Sequence, residues 1–379
     1  MKSIRLGLVA FLLLVATRSA AEEKDVRKID PNMAGKAAEL STKWTDARSL
    51  TIEGQGWKET AHPYDRLPEK AQSVVPELVC TLSQNSAGIT VRFITDATKV
   101  FGRWTVTNET LGMPHMPATG VSGLDLYVRI DGQWRWAGMG KPESGVTNAV
   151  QLAFGIPKEK HEFLLYLPLY NGVKQVDVGV PEDATIEPAQ PRPSDHDKPV
   201  VIYGTSIVQG GCASRPGMAH AAILGRKLDR PVINLGFSGN GKMEMALENL
   251  LAELDAAAYV LDCGPNMSTA LVTERYLPFI KALRAARPVT PIVLVESVHV
   301  QSSVAFPGLK AGSDEMNREI KRIYHALRGE KVKNLFYVPS EALLGDDGEG
   351  TVDGIHPTDL GFVRMADGLY AFLRPILGE

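Results

Sequence analysis

Ser206, Asp353 and His356 are residues whose types and spacing fit one recognisable chemistry. A serine hydroxyl is a weak nucleophile until a base within hydrogen-bond reach takes its proton. An imidazole can take that proton and return it to a leaving group. A carboxylate on the far ring nitrogen fixes the tautomer, and Asp353-Gly354-Ile355-His356 lets one short turn carry both groups. Taken singly, each has a plainer reading: Asp353-Gly354 as a simple turn, His356 as a surface histidine. Acyl transfer also needs donors for a developing oxyanion, and loss of one can cost about 10²–10³ in rate. The backbone N–H of Ser206, the backbone N–H of Gly239 and the side-chain amide of Asn266 are the candidates. Gly239 lacks a Cβ and admits close approach. Its plainer reading is a tight turn entering the next helix, and that of Asn266 is a helix N-cap.

Positioning such groups is the task of the second half of the chain, where strand, loop and helix alternate. Val200–Tyr203 is a continuous apolar run, as in a strand buried on both faces. Val232–Leu235, Tyr259–Leu261, Ile292–Val295 and Leu335–Val338 read as further strands. Helices are expected over Met218–Leu228, Lys242–Leu254, Glu274–Ala286, Asp314–Arg328 and Leu360–Leu377. The second of these shows Met243, Leu247, Leu250, Leu251 and Leu254 at helical spacing. Repeated βα units imply a five-stranded parallel sheet covered by helices on both faces. Ligands of such sheets bind beyond the carboxyl ends of the strands. Ser206, Gly239, Asn266 and the Asp353/His356 pair all follow strands and so converge on that one rim.

The first half has a different grammar. Leu124-Asp125-Leu126-Tyr127-Val128-Arg129-Ile130 alternates, and Asp131-Gly132 turns it into Gln133-Trp134-Arg135-Trp136. Similar runs at Gly88–Thr95, Gly102–Val106, Ala149–Phe154, Glu162–Leu167 and Lys174–Val178 make this an all-β unit, a sandwich or jelly roll. Pro181, Pro188, Pro191, Pro193 and Pro199 mark the seam as a semi-rigid linker. The expected division is a signal peptide over 1–21, a β-sandwich over 22–195 and an α/β unit over 196–379.

In that order, each after its strand, Ser206, Gly239, Asn266 and Asp353/His356 resemble the four blocks of the SGNH (GDSL-like) esterase and acylhydrolase superfamily, over about residues 198–379. Gly123-Leu124-Asp125-Leu126-Tyr127 is similar to the Gly-x-Asp-Leu-Tyr motif of the β-domain that precedes one SGNH subgroup. The resemblance implies a three-layer, flavodoxin-like domain with Ser206 as nucleophile. It implies Gly239 and Asn266 as oxyanion donors, with Asp353 and His356 completing the triad. One departure is Thr205, where Gly-Asp-Ser-Leu would have aspartate. The Gly-x-Ser-x-Gly elbow of α/β-hydrolases is absent, because Val208 takes its last position. The expectation is a cofactor-free, metal-free serine esterase acting on short acyl esters, with acetyl groups on carbohydrate foremost. A lipase or acyltransferase using the same triad and a non-catalytic glycan-binding protein are the alternatives. Arg215, Gln209 and His299 are candidates for substrate contact; His299 is also a rival base.

The remaining features bound the partners. A balance of 41 Lys+Arg against 44 Asp+Glu, net −3, offers no basic face for nucleic acid. Lys2 and Arg5, the apolar stretch Leu6–Thr17 and Ser19-Ala20-Ala21 form a signal-peptide pattern cleaved before Glu22, too short for a membrane span. Export to the periplasm or exterior and no stable membrane insertion follow as expectations. Cys80, Cys212 and Cys263 are too few for a disulfide framework, although Cys212 and Cys263 both fall in rim loops. All five tryptophans precede the seam, where packing is the expected role and stacking on sugars the alternative. Asp195-His196-Asp197 lacks further ligands at fixed spacing and reads as a solvated charge cluster.

Overall fold

Alternate side chains of a strand point to opposite faces, so the period-two runs of the first half can bury one face and wet the other. The computed structural model, which describes residues 42–378, pairs them antiparallel in two sheets. One runs β1 (Thr42–Asp46), β9 (Val173–Pro181), β4 (Lys99–Val106) and β7 (Thr147–Phe154). The other runs β10 (Ile186–Pro188), β3 (Thr90–Thr95), β8 (His161–Tyr166), β5 (Leu124–Ile130) and β6 (Gln133–Gly140), with β2 (Thr51–Glu53) also on β3. Val91, Phe93, Leu124, Leu126, Phe163 and Leu165 from the second sheet meet Val100, Trp104, Leu152 and Val176 from the first. The β5–β6 hairpin closes with Asp131 and Gly132 both at positive φ (50° and 75°), the type I′ geometry that Asp-Gly favours. The tryptophans are used for packing and hydrogen bonding. Trp104 is fully buried with its indole N–H on the Ser122 carbonyl, and Trp57, Trp134 and Trp136 each donate to a carboxylate.

The second half forms the parallel sheet in the order β12 (Val232–Gly236), β11 (Val200–Gly204), β13 (Ala258–Asp262), β14 (Ile292–Val295), β15 (Leu335–Val338). All four pairings are parallel. Two short helices, α1 (Glu77–Ser83) and α2 (Ala118–Val121), precede it. Six follow: α3 (Ser206–Gln209), α4 (His220–Lys227), α5 (Met245–Leu251), α6 (Thr269–Ala286), α7 (Ala311–Gly329) and α8 (Asp359–Leu377). Apolar side chains of α5, α6 and α7 cover one face of the sheet, and those of α3, α4 and α8 cover the other. The fold is therefore an antiparallel β-sandwich followed by a three-layer α/β unit. No helix among the described residues is long and apolar enough to cross a membrane. The proposed signal segment lies outside the described residues.

Among the helix boundaries that differ from expectation, two have identifiable local causes. α5 starts later because Gly241 and Met243 adopt positive φ (70° and 53°), which breaks the helical run. α6 starts earlier because the Ser268 hydroxyl accepts from the N–H of Leu271 and caps it.

The proline-rich seam is less of a linker than its composition suggests. β9 runs to Pro181, and Pro188 lies on the edge strand β10, the place in a sheet where a missing N–H is tolerated. Beyond it, Arg192 is buried between the halves. Its guanidinium donates to both carboxylate oxygens of Glu53 at 2.9 and 3.0 Å, and to Asp229 Oδ1 at 3.1 Å. Residues 42–378 all fall in one compact unit.

The Gly-Leu-Asp-Leu-Tyr stretch explains how that unit reaches the rim. Asp125 is fully buried. Its Oδ2 accepts from Arg215 Nη1 and from the Gly217 N–H, both at 2.7 Å, while Oδ1 accepts from Trp136 Nε1 at 2.9 Å. The Tyr127 hydroxyl takes a further bond from Arg215 at 2.7 Å. A Cβ on Gly217 would lie 2.5 Å from the Tyr127 ring, so the loop must carry glycine there. Removing the carboxylate leaves a half-buried cation without its counter-charge and two N–H groups without their acceptor. We expect Asp125→Ala to cost about 3 kcal/mol of unfolding free energy, measured by urea denaturation.

Candidate active site

The rim is built where the strand order reverses, between β11 and its neighbours β12 and β13. Gly204 ends β11, and Thr205 caps the single turn α3 by accepting from the Ile207 N–H at 3.3 Å. Threonine is a good N-cap, so this short polar side chain starts the turn although it is not aspartate. Ser206 is the first residue of α3, where its N–H has no intrahelical acceptor, and the side chain opens to the rim at 7% exposure.

His356 reaches it from far along the chain, with Ser206 Oγ and His356 Nε2 2.8 Å apart. On the other side of the ring, Nδ1 is 2.7 Å from Asp353 Oδ2. Asp353 also shapes its own turn, because Oδ1 accepts the N–H of His356 at 2.8 Å and that of Ile355 at 3.0 Å. Gly354 sits at φ 93°, which the reversal requires. Val352 N–H on the His356 carbonyl at 2.8 Å closes the turn, and Gln301 N–H on the Gly354 carbonyl at 2.9 Å braces it. Partial burial pushes the Asp353 carboxyl up, but the backbone and side-chain bonds from His356 and the Ile355 N–H outweigh it and hold it down at about 2. An ionised Asp353 accepts from Nδ1–H, so the neutral ring presents a bare Nε2 to the serine hydroxyl.

The candidate oxyanion donors lie on the loops after β12 and β13. Gly239 has φ 69°, and its N–H, like that of Ser206, has no hydrogen-bond partner among the described residues. A Cβ there would meet nothing, so backbone conformation, rather than crowding by the protein, calls for glycine. Asn266 Nδ2 donates to the Asn240 carbonyl at 2.7 Å, which ties the two loops together. Asn266 is not the N-cap of α6; Ser268 is.

The other expected contacts have different surroundings. Gln209 is fully buried behind the rim, donating to Asn85 Oδ1 at 3.1 Å and the Leu169 carbonyl at 3.2 Å while accepting from the Ser238 N–H at 3.0 Å. It holds the Gly239 loop from behind and presents no polar atom outward. Arg215 is occupied by Asp125 and Tyr127. His299 has its Nδ1 2.6 Å from Ser313 Oγ and its Nε2 3.2 Å from Ser340 Oγ. The Ser313 hydroxyl donates to the Lys310 carbonyl at 3.0 Å, so it accepts from Nδ1–H, and both ring nitrogens are engaged. His299 also lines a cleft of about 390 Å³ whose wall includes Pro265, Met267, Ser297 and Ile355, beside Asn266 and His356. All three cysteines are free, and burial together with the charge of Asp353 pushes the Cys212 thiol up to about 11. That is the wrong direction for a nucleophilic thiol.

Two residues of the first half reach the same place. The His115 ring, on the loop after β4, lies 6.0 Å from that of His356, centre to centre. The Tyr170 hydroxyl donates to the Ser206 carbonyl at 3.2 Å. Nothing in the spacing around either residue marks it, because the contact depends on how the two halves pack.

A parallel three-layer sheet with serine, histidine and aspartate at its switch point, preceded by a β-sandwich, defines a class of hydrolase. Residues 197–374 match the GDSL-like Lipase/Acylhydrolase family. Residues 42–186 match the GxDLY domain, described as the N-terminus of SGNH-hydro-type esterases. Among solved structures, a Bacteroides ovatus protein assigned as a GDSL-like lipase is 36% identical, covering 89% of this chain and 98% of its own, with a TM-score of 0.83. The chain belongs to this GDSL-like lipase and esterase family and is a hydrolase. A salicylyl-acyltransferase from a tetracycline biosynthetic pathway shares the fold at 19% identity and TM-score 0.72, over 90% of this chain and 98% of its own. A family two carbohydrate esterase from Cellvibrio japonicus shares it at 14% and 0.56, over 89% and 98%. A search of curated proteins finds no match.

Gln209→Met keeps the side-chain volume but strips the loops of their shared anchor. We expect it to cost about 1–3 kcal/mol of stability, read by urea denaturation, and to lower kcat more than it raises KM.

Proposed function

We propose that this hydrolase is an exported serine esterase that removes short acyl groups, with O-acetyl groups on carbohydrate as the substrate class. The observation that carries the reading is the continuous contact from Ser206 Oγ through His356 to Asp353, at 2.8 and 2.7 Å. His356 takes the hydroxyl proton as Ser206 attacks the ester carbonyl. The N–H groups of Ser206 and Gly239 and the amide of Asn266 receive the oxyanion. The alcohol leaves with the proton from His356, and water, activated by the same imidazole, then hydrolyses the acyl-enzyme. Asp353 holds the ring and balances its transient positive charge.

The cleft beside the site supports a small acyl group on a hydroxylated alcohol. Ser268, Thr269, Ser297, Ser313 and Glu315 share its wall with Met267, Val298 and Met316. That mixed lining suits a sugar better than a long acyl chain. Carbohydrate esterases among the fold neighbours make acetylated glycans the first substrates to try. Export rests on Lys2, Arg5, Leu6–Thr17 and Ser19-Ala20-Ala21. Expressed with its leader, the protein should appear outside the cytoplasm, with Edman sequencing starting at Glu22.

With p-nitrophenyl acetate, Ser206→Ala should abolish turnover, and undiminished hydrolysis by this variant would sink the assignment. Acetylated oligosaccharides should be deacetylated in preference to long-chain lipid esters, as read by acetate release. Asp353→Asn should lower kcat by about 10⁴ because the wrong tautomer is held. The depressed carboxyl of Asp353 contributes stability above its unfolded value near 3.8, and this is lost as pH falls towards about 2. Wild type should therefore lose more stability than Asp353→Asn between pH 4 and 2, by urea titration.

A further inference from the structure

Cys212 lies beside this same relay. It lies three residues beyond α3, at φ 76°, in the left-handed region where glycine is the ordinary choice. Its side chain is buried, and the thiol makes no hydrogen bond among the described residues. The loop is pressed against the imidazole: a Cβ on the preceding Gly211 would sit 3.1 Å from His356 Cδ2. The Cys212 sulfur, a carboxylate oxygen of Asp353 and a ring nitrogen of His356 all lie within 4.8 Å of one another. Asp353 is open to solvent and His356 half-buried, so an ion can enter and keep a water as its fourth ligand.

Zinc binds sulfur at about 2.3 Å and nitrogen or oxygen at about 2.0–2.2 Å, which sets tetrahedral ligand atoms about 3.3–3.6 Å apart. The imidazole–carboxylate contact of 2.7 Å needs to open slightly and the thiol to close in. Both are side-chain movements. One thiolate, one imidazole and one carboxylate suit a borderline or soft cation, whereas Mg²⁺ and Ca²⁺ prefer oxygen ligands throughout.

We propose that Cys212, Asp353 and His356 form an inhibitory binding site for a thiophilic divalent cation such as Zn²⁺ or Cd²⁺. Binding at Nδ1 leaves the His356 ring neutral, its one proton now on Nε2, and releases a single proton to solvent, that of the Cys212 thiol. Three metal–ligand bonds form, and the hydrogen bond from Nδ1 to Asp353 is lost. No electron is transferred. His356 then loses its orienting carboxylate and most of its basicity, so Ser206 is no longer activated. The inhibitory consequence rests on the proposed roles of Ser206, His356 and Asp353; the binding of the ion does not.

The test uses the full chain, with Cys212→Ser keeping the backbone demand and Cys212→Gly relieving it. Both variants should retain esterase activity in chelator-treated buffer. Zn²⁺ and Cd²⁺ should inhibit wild type reversibly, with EDTA restoring turnover, and Mg²⁺ should have no effect. Sensitivity should fall about 10–100-fold in each variant. Independently of turnover, Cd²⁺ should raise the ultraviolet charge-transfer absorption of a cadmium–thiolate bond in Ser206→Ala protein. That absorption should fall in the Ser206→Ala/Cys212→Ser double variant, whose Cys80 and Cys263 are untouched. Equal metal sensitivity in wild type and both Cys212 variants, or an absorption change unaffected by loss of Cys212, overturns the site. A protein that shows the Cys212-dependent absorption but no esterase activity in any form retains the metal site and overturns the catalytic reading instead.

Discussion

A charge buried in a protein must be met by fixed partners, and two such charges brace this rim from behind. Asp125 gathers Arg215, Gly217 and Trp136 around a carboxylate with no exposure. Arg66 is equally buried, and burial pushes its guanidinium down to about 9. It donates to the carbonyls of Leu82, Asn85, Asn234 and Gly236 at 2.7–3.1 Å, with its head over the Phe237 ring. The first contact fixes the loop after Ser206, and the second fixes the end of β12, where the Gly239 loop begins. Losing either partner would leave polar groups stranded in a low-dielectric interior. The preceding sandwich is therefore part of the scaffold of the candidate site as well as a neighbour of the α/β unit.

That dependence explains why the seam cannot act as a hinge. Arg192 bridges Glu53 of β2 to Asp229 between α4 and β12, and Arg129 of β5 also holds Asp229, at 2.6 Å. Trp134 adds its indole N–H to the same carboxylate. Tilting the sandwich would break several charge-assisted bonds at once, each stronger than a neutral one. Near the site, the loop after β14 is the looser segment, with Val304, Phe306 and Leu309 each more than half exposed. Segments that bury so little apolar surface are the ones that open locally first.

Much of this was legible in the chain because the relevant signals are local. The five buried strands of the second half are apolar runs, and the site residues follow them in loops, so the parallel sheet and its rim emerged together. Asp353 and His356 were readable because three residues and one glycine contain the whole turn. What escaped was set by packing between distant segments. β10 lies among prolines that look like linker until Pro188 is seen on a sheet edge. Gln209 looks like a substrate contact until Asn85, Leu169 and Ser238 enclose it. His115 and Tyr170 carry no periodicity or motif, and only the docking of the halves brings them to Ser206 and His356.

Two aspartates near the rim show how differently a strand end and a loop hold a carboxylate. Asp262 ends β13 inside the sheet, fully buried, with Oδ2 unpartnered, and burial raises it to about 7. An acid there is a poor fixed anion near neutral pH. Asp353 is less buried, yet three hydrogen bonds from its own turn lower it to about 2. The difference is in the donors each backbone can supply. A strand end uses its N–H groups in the ladder, whereas the Asp353 turn directs two at the carboxylate and leaves the second oxygen for His356. A carboxylate kept ionised beside an imidazole is well held by such a turn, and its partial exposure lowers the cost of keeping it charged.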